Sequence, residues 1–171
     1  MNAVLHPKRL LSDDALRKIE REVAKFPAEQ EQSAVMAALT IAQVEHGWLS
    51  KDLMQEVGDV LQMPAIAVYE VATFYTMYNL APVGRHKITI CTNLPCALSG
   101  ANQAAAHLRK TLGVGFNETT ADGEFTLKEG ECQGACGDAP VLLVNNHRMC
   151  SFMSNDKLDA LVDELRQSGK Q

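Results

Sequence analysis

The sequence predicts an α+β fold, with helices in its first half and a small β-sheet in its second. Apolar residues recur at three- and four-residue spacing up to about residue 80, a pattern typical of amphipathic helices. From Lys87 onward, short β-branched and alternating runs predict strands. Proline and glycine within residues 81–85 mark a junction between the two patterns. We therefore expect a helical region over residues 1–81 and a second domain over residues 82–171.

Four helices are expected in the first half. Ser12 precedes two aspartates, which predicts an N-cap, and Pro27 ends the apolar face that follows. A second, Ala-rich helix is expected to end at Gly47, and Ser50 should cap a third. Pro64 suits the first turn of a fourth helix. Together these segments predict a small helical bundle over residues 10–80.

The second half predicts the order strand, helix, strand, strand, strand, helix. The segments are residues 87–90, 98–112, 125–128, 141–144 and 149–152, and a last helix capped by Ser154. An Asn-rich turn at residues 145–148 should join the last two strands into a hairpin. This order is typical of a sheet with helices packed against it.

Composition excludes several classes of protein. The 171 residues are 46% hydrophobic and 22% charged, which is typical of a folded globular chain and not of a disordered one. The net charge of −5 is spread over both halves, so we expect no nucleic-acid partner. No Walker loop, GxSxG motif or dinucleotide fingerprint is present, so we expect no substrate site for NADH, flavin or ATP on this chain.

The cysteine count and the N-terminus predict a compartment. Five cysteines form an odd number, which together with the lack of a secretory signal argues against a disulfide scaffold. The first residues show neither an apolar run nor a small-residue cleavage site, so we expect no targeting peptide. No uninterrupted apolar stretch is long enough for a transmembrane helix. A cytoplasmic protein without direct membrane insertion is expected.

Four of the cysteines form two close pairs. Cys91 and Cys96 are spaced CxxxxC, Cys132 and Cys136 are spaced CxxxC, and each pair follows a predicted strand. Two loops at the same end of neighbouring strands would bring four thiolates together, a donor set that selects zinc or an iron–sulfur cluster. Zinc knuckles usually use tighter CxxC pairs, so these spacings favour a [2Fe–2S] cluster. Zinc, a redox dithiol and metal-free packing remain as alternatives.

The predicted loops suit a negatively charged cluster. An oxidised [2Fe–2S] site with four thiolates carries a charge of about −2, and one electron makes it about −3. Gly134 and Gly137 allow backbone N–H groups to turn toward sulfur, and a helix beginning near Leu98 would point its N-terminus at Cys96. Neither cysteine loop contains lysine or arginine. We expect a low-potential one-electron acceptor.

The remaining cysteine, the aromatic segment and the histidines are expected to have structural or surface positions without a role in metal binding. Cys150 lies inside a predicted strand, and we expect a core residue without a metal role. The aromatic residues of segment 72–78 are expected to pack in the core or between domains. The state of the Ala139–Pro140 peptide bond, cis or trans, stays open. The histidines are scattered singly and are expected on surfaces or in turns: His6, His46, His86, His107 and His147.

Several motifs together resemble a known family. They are residues 47–49 (GWL), 71–75 (VATFY), 82–84 (PVG), the CxxxxC pair, residues 131–136 (ECQGAC) and Ala139–Pro140. The chain resembles the thioredoxin-like [2Fe–2S] subunit of NADH-quinone oxidoreductase, the bacterial respiratory complex I, in which it is designated by the letter E. The resemblance covers nearly the whole chain. It implies a helical N-terminal region followed by a thioredoxin-like [2Fe–2S] ferredoxin domain.

The resemblance also implies a function and a site. Four residues would ligate one [2Fe–2S] cluster: Cys91, Cys96, Cys132 and Cys136. The cluster would exchange single electrons with the FMN of a large partner subunit that also binds NADH. The protein would then be cytoplasmic and peripheral to the inner membrane through the assembled complex. The same kind of subunit occurs in NAD-reducing hydrogenases and NAD-dependent formate dehydrogenases, and a zinc-stabilised interaction protein is the alternative of another class.

Overall fold

A computed structural model describes residues 9–168 of the chain. The chain divides into two compact units, Met1–Pro82 and Val83–Gln171. The expectations about His6 and about the first residues of the N-terminus lie outside the described residues. Within the described part, no helix combines the length and the apolar character needed to cross a membrane.

The first unit is helical. It contains α1 (Asp13–Val23), a 3₁₀ turn (Glu31–Ala34), α2 (Val35–His46), α3 (Lys51–Val60) and α4 (Ala65–Phe74). The side chains of Ser12 and Ser50 accept hydrogen bonds from the N–H groups of Ala15 and Leu53, as N-caps do. Gly47 ends α2 in the left-handed region at φ +79°. The predicted caps of α1, α2 and α3 are therefore present.

The helices of the first unit meet in one apolar core. Ile19, Leu39, Val57 and Val68, one from each helix, are fully buried in it. The expectation for Pro64 was off by one position, because Pro64 precedes α4 as its N-cap residue and contributes no turn of the helix itself.

The aromatic segment after α4 divides between core and surface. The Tyr78 ring is buried, and its hydroxyl donates a hydrogen bond to the Met36 carbonyl at 2.8 Å. Phe74, in contrast, is 77% exposed, so the expectation of packing in the core or between domains is not met at this residue. The reason is helical periodicity: α4 packs through Val68 and Ala72, and Phe74 falls on the opposite side of the helix.

The second unit is a five-stranded mixed sheet with helices. Its elements are β1 (His86–Cys91), α5 (Leu94–Leu98), α6 (Ala101–Leu112), β2 (Glu118–Thr119), β3 (Phe125–Gly130), a 3₁₀ turn (Cys136–Asp138), β4 (Leu142–Val144), β5 (Arg148–Cys150) and α7 (Asn155–Ser168). The strand order is β2-β3-β1-β4-β5. β1 runs parallel to β3, and the other pairs are antiparallel. The α+β class predicted from the sequence is confirmed.

Strand register places the core of this unit on one face of the sheet. Ile88 pairs with Leu127 on one side and with Val144 on the other, so these three side chains share a face. They are buried in one cluster with Leu108 of α6 and Leu161 of α7. The two helices therefore cover the apolar face of the sheet.

The helix predicted over residues 98–112 is interrupted. The structure has two helices, because Gly100 adopts φ +91° between α5 and α6. Helical backbone has negative φ, so the chain turns at this glycine and starts a new helix at Ala101. The short strand β2 was not predicted. The hairpin β4–β5 is present, and its turn uses Asn145 and Asn146 at positive φ.

The histidine expectations hold with one exception. His147 lies exposed in the hairpin turn, whereas His86 is buried at the start of β1 with its ring 5.6 Å from that of Phe125. His86 is an even number of residues from Ile88, so the pleat of the strand points it toward the apolar face. Burial lowers the pKa of His86 from its ordinary value.

Lys87 gives the second unit a pH-dependent stability. The residue is 3% exposed within β1, and its burial, followed by the charge of Lys128, lowers its pKa to about 8. In the unfolded chain the pKa is about 10.4, so the folded state binds fewer protons between these values and gains stability as the pH rises. Relative to Lys87→Met, the wild-type free energy of unfolding should increase by about 2 kcal/mol between pH 7 and pH 10.

Urea unfolding followed by circular dichroism at several pH values measures this difference. Lys110→Met is the matched control, because Lys110 is exposed on α6. The prediction is contradicted if the difference in the free energy of unfolding between wild type and Lys87→Met stays constant with pH. It is also contradicted if Lys110→Met shows the same pH-dependent difference from the wild type.

Candidate metal centre

The parallel pair β1 and β3 positions two cysteine loops at one edge of the sheet. Cys91 is the last residue of β1, and it pairs in register with Gly130, the last residue of β3. Cys96 lies in α5, directly after β1, and the loop after β3 carries Cys132 and Cys136. Both loops leave the same edge because parallel strands end on the same side.

The four thiols interact with one another. All are free, and they lie close enough that Cys91 acts on the pKa of Cys96 and Cys132 acts on that of Cys136. Burial first, and then the thiols of the other three cysteines, raise the pKa of Cys96 to about 11. Burial and the neighbouring thiols also raise the pKa of Cys136. The structure thus places the four sequence-predicted residues near one another as two pairs, although they span 45 positions of the chain, from 91 to 136.

The two pairs differ in their access to solvent. Cys91 and Cys96 are each 1% exposed and pack with Ala101 and Val141 in a small apolar cluster. Cys132 and Cys136 are exposed. The site therefore has an inner pair, Cys91 and Cys96, and an outer pair, Cys132 and Cys136, and a solute approaching from water meets the outer pair first.

Polar side chains connect the two loops. Asn93 caps α5 through its side-chain oxygen and donates from its amide nitrogen to Glu131 at 3.1 Å. The Thr92 hydroxyl donates to Glu129 at 2.6 Å. These bonds join the segment between Cys91 and Cys96 to the segment just before Cys132.

Gln133 provides a further connection that sequence reasoning missed. Its amide nitrogen donates to the Thr89 carbonyl of β1 at 2.9 Å and so holds the CxxxC loop against the strand that ends at Cys91. Gly130 lies close by, where an added Cβ would come within 2.7 Å of the Thr89 side chain. The sequence did contain a signal, because Gln133 is the only polar side chain between Cys132 and Cys136. Its hydrogen-bond partner could not be predicted, because that depends on the register of the sheet.

The helix start predicted near Leu98 was wrong, because Leu98 ends α5 and α6 begins at Ala101. Ala101, the first residue of α6, packs with Cys96 in the same buried cluster. The expectation for Gly134 agrees with the structure, since this residue adopts φ +71° and its N–H donates to the Cys132 sulfur at 3.4 Å. Such a bond stabilises negative charge on sulfur.

The donor set fits an iron–sulfur cluster. Among residues 9–168, no three His, Cys, Asp or Glu side chains converge as a single metal ion requires. A [2Fe–2S] cluster makes a different demand, because its two irons share four cysteine thiolates. Two interacting pairs of soft sulfur donors, with a backbone N–H directed at one of them, meet that demand.

Cys150 stands apart from the four. It is buried in β5, within the apolar cluster of the second unit, and it pairs in register with Leu142. Burial raises the pKa of its thiol. We expect Cys150→Ala to retain the iron content and the electron paramagnetic resonance (EPR) spectrum of the wild type, with a stability loss of about 1 kcal/mol for the removed sulfur. Loss of the EPR signal in this variant would contradict the prediction.

The peptide bond between Ala139 and Pro140 is cis, which answers the question that the sequence left open. It follows the 3₁₀ turn that begins at Cys136.

Comparison with known proteins identifies the family. The model of the thioredoxin-like [2Fe–2S] ferredoxin family matches residues 19–166. The chain belongs to this family. The predicted thioredoxin-like [2Fe–2S] ferredoxin class is therefore confirmed.

Two relatives of this thioredoxin-like ferredoxin carry the name of the NADH-quinone oxidoreductase subunit designated by the letter E. The relative from Rickettsia conorii is 41% identical over 152 residues, which cover 88% of this chain and 90% of the relative. A relative from Rhizobium meliloti, the second of that designation, is 42% identical over 149 residues, covering 87% of each chain. The resemblance that the motifs indicated is confirmed.

Solved structures share the fold. A crystal structure of NAD+-reducing [NiFe]-hydrogenase in the H2-reduced state superposes with a TM-score of 0.65 at 20% identity. The match covers 75% of this thioredoxin-like ferredoxin and 22% of the hydrogenase chain. At this identity the likeness shows a common fold.

Proposed function

We propose that this protein is the electron-transfer subunit of an NADH:quinone oxidoreductase and holds one [2Fe–2S] cluster. The observation that carries the proposal is the meeting of two cysteine pairs at the common end of β1 and β3. Four thiolates are the ligands that such a cluster takes. The family and the names of the relatives support the same assignment.

In this proposal the cysteines ligate the cluster and their surroundings stabilise it. The ligands are the inner pair, Cys91 and Cys96, and the outer pair, Cys132 and Cys136. Burial of the inner pair excludes water from one side of the site, and the Gly134 N–H stabilises negative charge at Cys132. When bound, the cluster supplies reversible one-electron storage.

The protein acts together with a partner. Since the sequence lacks nucleotide and flavin motifs, the FMN and NADH sites belong to a large subunit of the same complex, and single electrons pass between that FMN and this chain. The complex is a translocase at the inner membrane, with this subunit on the cytoplasmic side. The second domain, residues 82–171, carries the cluster, and the helical region, residues 1–81, contributes to attachment.

A second candidate has the same chemistry, and the family membership supports it equally. In it, this chain would be the corresponding subunit of an NAD-reducing hydrogenase or an NAD-dependent formate dehydrogenase. Mass spectrometry of the large subunits that co-purify with the chain distinguishes these assemblies. A quinone-reducing membrane arm supports the first candidate, and a hydrogenase or formate dehydrogenase subunit supports the second.

Metal analysis tests the cluster itself. After anaerobic purification we expect about two irons and about two acid-labile sulfides per chain, with an EPR signal that appears on reduction by dithionite. One zinc without sulfide would reject the cluster and leave the zinc-stabilised interaction protein.

A further inference from the structure

The short helix α5 exposes two large apolar side chains beside the cysteine site. Leu94 is 69% exposed and Leu98 is 81% exposed. They are four residues apart and therefore share one face of the helix, whereas Cys96, two residues from each, is buried on the other. Soluble proteins expose such side chains singly more often than in adjacent pairs, so a paired exposure marks a contact surface.

Two carboxylates lie next to this apolar face. Glu129 accepts a hydrogen bond from Thr92, and Glu131 accepts one from Asn93, the two residues directly before α5. No lysine or arginine occurs within either cysteine loop. We define the α5 surface by four residues, which combine an apolar centre with an acidic margin: Leu94, Leu98, Glu129 and Glu131.

The α5 surface adjoins the outer cysteine pair. Glu131 directly precedes Cys132, which is exposed, and the Asn93–Glu131 bond joins that point of the loop to the start of α5. Electron transfer between proteins weakens steeply with distance. A redox partner is therefore expected to dock where the site comes nearest to solvent.

We propose that the α5 surface is the docking site for the redox partner protein, which presents basic side chains around an apolar pocket. The proposal rests on the proposed function. The exposed carboxylates favour positive charge opposite them, and the two exposed leucines would gain free energy by leaving water in the complex. A second copy of this chain fits poorly, because a two-fold contact would bring the same carboxylates together.

Binding of the cluster-loaded full-length chain to the purified flavin-containing large subunit of its own complex tests the proposal. The double variant Leu94→Ala/Leu98→Ala should bind about tenfold or more weakly, with unchanged iron content and EPR spectrum. Glu129→Gln/Glu131→Gln should weaken binding at about 50 mM salt and flatten its dependence on salt. Val44→Ala, which changes a 68% exposed side chain of α2, is the control and should bind as the wild type does.

The outcomes separate this proposal from the function on which it rests. Wild-type binding that the leucine variant leaves unchanged overturns the docking site alone. A wild-type chain that holds no iron and does not bind the flavin subunit overturns the proposed function. Sedimentation that shows a wild-type dimer, dissociated by the leucine variant, assigns the surface to a second copy and also overturns the proposal.

Discussion

Loss or severe disturbance of the cluster is the expected result of replacing either Cys91 by alanine or Cys132 by serine. Each substitution would remove one of the four proposed thiolate ligands, and an iron with an incomplete ligand set is lost or altered. EPR spectra of the reduced protein, together with iron and sulfide content, measure the effect. The variants should hold well under half of the wild-type iron.

Comparing Cys91→Ala with Cys132→Ser distinguishes loss of a cluster ligand from loss of packing in the protein. Cys91 is buried, so Cys91→Ala also removes packing and costs about 1 kcal/mol or more of stability. Cys132 is exposed, so Cys132→Ser should retain the circular dichroism spectrum of the folded chain while the cluster is lost or altered. The Cys150→Ala variant serves as the matched control. An unchanged EPR spectrum in Cys132→Ser would show that this residue is not a ligand.

Severe destabilisation of the second unit is the expected result of Gly84→Ala. An added Cβ would lie 2.7 Å from the carbonyl carbon and 2.9 Å from the nitrogen of Phe125. These atoms are backbone of β3 and cannot rotate away, so the strand must move or the N-terminal end of the unit must detach. The Gly84 N–H also donates to the Thr126 hydroxyl at 2.6 Å, a buried bond that such a shift would break.

Thermal unfolding followed by circular dichroism measures the effect of this substitution. We expect a loss of about 3 kcal/mol or more, which lowers the melting temperature by about 10 °C or more for a unit of this size. Gly137→Ala is the matched control, because its Cβ would meet nothing within 4 Å and its φ is not positive. Equal melting temperatures for the two variants would contradict the prediction.

Local signals in the sequence were sufficient for much of the fold. The caps at Ser12, Ser50 and Gly47 depend on short-range hydrogen bonds and on backbone conformation, which a few neighbouring residues determine. β2 was missed because its two residues form a strand only through pairing with β3. The exposure of Phe74 was missed because it depends on which face of α4 meets the bundle.

In the candidate site, too, some features follow from the local sequence and others depend on the folded sheet. The spacing of the cysteines predicted that the two pairs lie at one end of neighbouring strands, as they do. That Cys91, Cys96, Cys132 and Cys136 ligate one cluster stays a prediction. The contact of Gln133 with Thr89, and the difference between the buried and exposed pairs, depend on the parallel register of β1 and β3. Register is a property of the folded sheet and leaves no separate mark in one sequence.

The unequal burial of the two cysteine pairs has a consequence for damage by oxygen. In the metal-free chain, peroxide or dioxygen reaches the outer pair first, because Cys91 and Cys96 are shielded by Ala101 and Val141. Cys132 and Cys136 are four residues apart in one exposed loop, so their oxidation to a local disulfide would remove two of the proposed ligands and leave the inner thiols reduced. A mild thiol reductant would reduce this disulfide, so the metal-free protein could regain its four thiols after exposure to air.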